Sequence, residues 1–109
     1  MTMADQDSLI AALQARSTAL RGLGYRVRFD VTGEAGDIVI LLDATGGAPV
    51  IEPADGTTEA DTILRLSDGD LAKLIAGRLS PMLAFSTGRL RVEGSKGVAM
   101  KLAGLLDED

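Results

Sequence analysis

The chain contains neither histidine nor cysteine. Imidazole titrates nearest neutral pH and is the commonest metal ligand, while a thiolate is the usual soft nucleophile and metal donor. Acid–base or covalent chemistry would therefore fall to carboxylates, hydroxyls and lysines. In Ser67-Asp68-Gly69-Asp70 two acids stand close together, but a helix start accounts for both. A catalytic pair needs environments that drive its pKa values apart, and a polar turn supplies none. Asp43, Glu52, Asp55, Glu59 and Asp61 flank loops without the spacing of a calcium loop. Ser86 and Thr87 have only Lys73, Lys96 or Lys101 as bases, and no spacing singles one out. Gly22-Leu23-Gly24 and Gly94-Ser95-Lys96-Gly97 lack nucleotide-loop spacing. The second sets Gly, Ser and Lys before a helix, where an anion can sit and where turn chemistry serves equally well. We expect no catalytic residues, no cofactor, no metal and no enzymatic activity.

The balance of charge excludes further classes. The net charge is -5, which opposes binding to nucleic acid, since phosphate contacts need clustered Lys and Arg. The basic residues are dispersed. Arg26, Arg28, Arg89 and Arg91 alternate with apolar neighbours, which predicts solvated strand faces. The longest aliphatic run is Ile38-Val39-Ile40-Leu41-Leu42, too short to span a bilayer. Stable membrane insertion is thus not expected. The start, Met1-Thr2-Met3-Ala4-Asp5, carries acid where a secretory leader carries base. A cytoplasmic protein is the expectation. Aromatics amount to only 3% of the 109 residues, so few rigid rings fix the shape of the interior.

The elements that must position these residues follow from periodicity. Asp5 to Arg21 predicts one amphipathic helix with Leu9, Ile10, Leu13 and Leu20 near one stripe, ended by Gly22 and Gly24. Tyr25 to Thr32 alternates without a break, and a glycine-containing turn joins it to Ile38–Leu42, which is apolar on both faces. Such a strand is covered twice, or meets a core on one side and a ligand or partner on the other. Pro49 to Pro53 reads as an irregular or edge strand, because proline lacks an amide donor. Asp61 to Leu66 is a further strand, with Thr62, Leu64 and Leu66 inward. Ser67 and Asp70 resemble a capping box for a helix carrying Leu71, Leu74, Ile75 and Leu79. Pro81 opens a short apolar helix or turn, Met82 to Phe85, closed by Gly88. Arg89 to Glu93 makes the last strand, and Val98, Leu102, Leu105 and Leu106 form the stripe of a closing helix. This order predicts a single α+β domain over residues 1–109, with helices on one face of a mainly antiparallel sheet. On the residues alone, core packing accounts for the apolar stripes, with a cavity as the second reading.

Two stretches change that order. Residues 60–71, ADTILRLSDGDL, and 79–94, LSPMLAFSTGRLRVEG, together resemble the sterol carrier protein 2 family. The family pattern is a strand ending in Leu-Ser, an acid-capped helix, a small apolar connector, a strand and a closing helix. Val27-Arg28-Phe29-Asp30-Val31 and the tail from Ala99 to Leu106 resemble it as well. The resemblance implies a five-stranded sheet backed by helices that enclose a hydrophobic tunnel. It implies non-enzymatic binding or transfer of a lipid-like ligand: a fatty acid, acyl-CoA, sterol or isoprenoid. Carried over by position, Met82, Leu83, Phe85, Met100, Leu102 and Leu106 would line the cavity, with Ile40, Leu42, Leu74 and Leu79 as further candidates. The alternative is an accessory module that dimerises or docks on an enzyme of lipid or quinone metabolism.

Overall fold

A computed structural model describes residues 5–34 and 36–107. Helices α1 (Gln6–Ala15) and α2 (Ser17–Leu20) come first, followed by strands β1 (Arg26–Thr32), β2 (Ile38–Asp43), β3 (Val50–Pro53) and β4 (Thr62–Ser67). Then come α3 (Asp68–Ile75), α4 (Pro81–Ser86), β5 (Arg91–Gly94) and α5 (Lys96–Asp107). The sheet order is β3-β2-β1-β4-β5. Every neighbouring pair is antiparallel except β1 and β4, which run parallel at the centre. The mainly antiparallel α+β architecture is therefore as expected, with one parallel pair inside it. β3, with Pro53 at its end and Pro49 just before it, takes the edge position expected of it. Among the described residues no helix is long and apolar enough to cross a membrane.

One face of the sheet carries the core. Val27, Phe29, Ile40 and Leu42 are at most 1% exposed and pack in one cluster with Leu9, Leu13, Leu20, Leu71 and Leu102 from the helices. The helix starts are satisfied locally. The Asp5 carboxylate accepts from the Ser8 amide and the Ser8 hydroxyl accepts from the Asp5 amide, a reciprocal capping box. At α3 only half of that box forms. The Ser67 hydroxyl accepts from the Asp70 amide, but the Asp70 carboxylate is turned away to the Arg89 guanidinium.

Three expectations are corrected. The first helix is not continuous: it breaks at Arg16, which has φ -102° and ψ 13°. The Arg16 guanidinium donates to the Ile75 carbonyl at 2.8 Å and the Leu106 carbonyl at 2.7 Å. One side chain thus braces the C-terminal ends of α3 and α5, where helix carbonyls lack intrahelical donors. Second, Arg28 is not on a solvated face but buried. Its guanidinium clasps the Asp30 carboxylate at 2.8 and 3.0 Å and donates to the Gly56 and Thr58 carbonyls at 2.8 and 3.0 Å. The loop after β3 is drawn over the second face of the sheet in this way, and Leu41, beside Arg28 in register, is buried as well. Third, Arg89 lies outside the strand, which begins at Arg91.

Candidate functional site

An apolar opening lies between α4, β5 and α5. Ser80 and Pro81 set up α4, since the Ser80 hydroxyl accepts from the Leu83 amide and proline at the first helical position loses no hydrogen bond. Gly88 closes the segment with φ +79°, and the chain turns into β5. Gly94 ends that strand with φ +82°, its α-carbon so near the Asp61 carbonyl that a Cβ would sit 2.8 Å from the oxygen. The Ser95 amide donates to the same carbonyl at 3.0 Å, and the Ser95 hydroxyl accepts from the Val98 amide at 3.2 Å. The start of α5 is thereby pinned to the start of β4.

These elements leave a groove of about 150 Å³. Pro81, Met82 and Phe85 of α4 form one wall, and Leu90 and Val92 form the floor. Lys96, Ala99, Met100 and Ala103 of α5 form the other wall. Met82, Phe85 and Met100 stay 65%, 47% and 64% exposed around it. Beneath lies a void of about 20 Å³, bounded by Phe29, Leu64 and Leu66 of the sheet and by side chains of α3 and α5. Pro81, Leu90, Ala99 and Ala103 border both spaces.

The sequence-derived residues divide among these places. Met82, Phe85 and Met100 meet at the groove. Leu74, Leu102 and Leu106 border the inner void. Ile40, Leu42 and Leu79 are buried and border neither space, while Leu83 is exposed on α4 and borders neither. Pro81, Leu90, Val92, Ala99 and Ala103 are not among the expected lining residues, and Lys96 enters the sequence reading only as part of the Gly94–Gly97 turn where an anion can sit. The two alanines contribute by being small, a property that an apolar stripe does not reveal.

Little polar chemistry surrounds the groove. The Asp70 carboxyl is held below its ordinary value, chiefly by the hydrogen bond from Arg89, against the opposing effect of burial. That pair ties α3 to the segment entering β5 and presents no free nucleophile. Ser86 and Thr87 turn their hydroxyls back to the Leu83 carbonyl at 3.1 and 2.8 Å. Both are spent on helix α4.

The chain matches the SCP-2 sterol transfer family over residues 7–107. It belongs to that family. Among curated SCP-2 relatives, the hydroxysteroid dehydrogenase-like protein 2 of Bos taurus is 34% identical over 83 residues, covering 74% of this chain and 19% of that protein. The chain thus spans about a fifth of the length of such relatives. Two solved structures share the SCP-2 fold. Sterol carrier protein 2 from Yarrowia lipolytica, in apo form, superposes with a TM-score of 0.74 at 18% identity, covering 97% of this chain and 92% of that one. Palmitated SCP2L2 from Aedes aegypti gives 0.75 at 16% identity, with 94% and 95% coverage.

Proposed function

We propose that this domain holds the apolar chain of a lipid-like molecule in the groove between α4, β5 and α5, without catalysing a reaction. One observation carries the reading. Met82, Phe85 and Met100 stay largely exposed around one recess, whereas monomeric proteins scatter such residues singly. Membership of a family described by sterol transfer, and likeness to a palmitated protein, support it.

Magnitudes set the length of chain required. A cavity of about 150 Å³ takes a benzene-sized group, or about six methylenes, which contribute about 5 kcal/mol. That is binding at about 0.2 mM before ordering costs. Micromolar binding needs about ten methylenes or more. The remainder of the chain would run along Met82 and Met100 or press into the void below.

Native mass spectrometry of gently purified protein is expected to show a co-purified apolar ligand, and fatty acids are expected to displace a fluorescent analogue. Folded protein that shows neither overturns the proposal. The exposed side chains also favour a second reading, an accessory module that dimerises or docks on an enzyme of lipid or quinone metabolism. A solution mass that rises with concentration, in protein that takes no ligand, distinguishes it.

A further inference from the structure

The lining of the groove contains a single charge. Eight of its nine residues are apolar, and the ninth is Lys96. Among the described residues the Lys96 side chain makes no hydrogen bond or ion pair, while the other charges nearby are engaged elsewhere. Glu93 is held by Arg65 at 3.0 Å, Arg89 by Asp70, and the Lys101 ammonium lies 5.5 Å from the centre of the Tyr25 ring. Arg91 sits on the same side of β5 as Glu93, opposite to Val92. The main chain at Lys96 is fixed by the close approach of Gly94 to Asp61 and by the Ser95 hydrogen bonds. Lys96 starts α5 and Met100 follows one turn later, so Lys96 borders the apolar trough at one end, its aliphatic stem against the lining and its ammonium in solvent.

A cation at the end of an otherwise apolar trough matches an amphiphile with an anionic end. Resting on the proposal that an apolar chain occupies the groove, the geometry points to Lys96 as the residue that favours acid-headed over neutral ligands. The chain lies against Met82, Phe85 and Met100, and the carboxylate meets the ammonium at the mouth. Lys96 is exposed, and pairs in that setting contribute modestly and are screened by salt. The selectivity is accordingly a matter of a few fold.

The test uses decanoate and decanol as competitors for a bound neutral naphthyl probe, at low ionic strength, with the intact chain. Lys96→Gln is expected to weaken decanoate about threefold to fivefold and leave decanol unchanged, with Lys96→Arg retaining the decanoate affinity. Added salt should remove the difference in the wild type and change nothing in Lys96→Gln. If Lys96→Gln leaves both competitors unaffected, or weakens both equally, the role of Lys96 is overturned and the groove reading stands. If neither competitor displaces the probe from wild-type protein, the groove reading falls and this one with it.

Discussion

The two ends of the helical layer use similar side chains to opposite effect. Around α1, β1 and β2 the apolar residues are sealed: Leu9, Leu13, Val27, Phe29, Ile40 and Leu42 are at most 1% exposed. Around α4 and the outer side of α5, Met82, Phe85 and Met100 are left open. Composition does not separate the two regions. The sealed end is closed by Arg16, which holds the ends of two helices, and by a sheet that is continuous beneath. The open end rests on β5, a four-residue edge strand, and on a helix of six residues. Apolar surface stays open here because the fold has no further element to cover it.

The strongest way to break this contrast is to truncate one side chain at each end. Phe29→Ala is expected to cost about 3–5 kcal/mol in denaturant unfolding, while Met82→Ala should stay within about 0.5 kcal/mol. A large loss at Met82 would mean that α4 belongs to the sealed core. Arg16→Met should cost about 2 kcal/mol, because two helix-end carbonyls lose charged donors, and hydrogen exchange should quicken at the ends of α3 and α5. At the open end, Phe85→Ser combined with Met100→Ser should weaken a bound acyl chain about tenfold, as apolar contact area is lost, with the unfolding midpoint almost unchanged.

The smallest effect concerns the Asp70–Arg89 pair beside the groove. The Asp70 carboxyl is depressed below its ordinary value of 3.8, first by the Arg89 hydrogen bond. A depressed folded value means that the pair stabilises the protein above that pH and ceases to do so as the pH falls through the folded value. Asp70→Asn should therefore remove less than about 1 kcal/mol at neutral pH, because Arg89 is solvent-exposed. Once the pH has fallen below the depressed folded value of Asp70, the variant and the wild type should converge.

What the sequence disclosed follows the range of the physics. Period-2 alternation and local capping located β1, β4 and the start of α3, because neighbours in the chain decide them. The break at Arg16 was not legible, since its partners Ile75 and Leu106 lie 59 and 90 residues away. Arg28 was misplaced for the same reason: alternation puts it outward, and only the loop carrying Gly56 and Thr58 makes that side an interior. At the groove, the resemblance supplied Met82, Phe85 and Met100, all three of which border it. It did not supply Lys96, Ala99 or Ala103, whose parts depend on which face of α5 meets β5. The resemblance also offers Ile40 and Leu42 as cavity candidates; both lie in the core cluster, while the Arg28-held loop covers the other face of β2.

Pro81, Leu90, Ala99 and Ala103 border both the groove and the void beneath it. They are the shared boundary of the two spaces. The depth of the groove therefore depends on the rotamers and sizes of these four side chains. Enlarging Ala103 would narrow the groove from the α5 wall and shrinking Leu90 would deepen its floor, each by a single substitution on an unchanged scaffold.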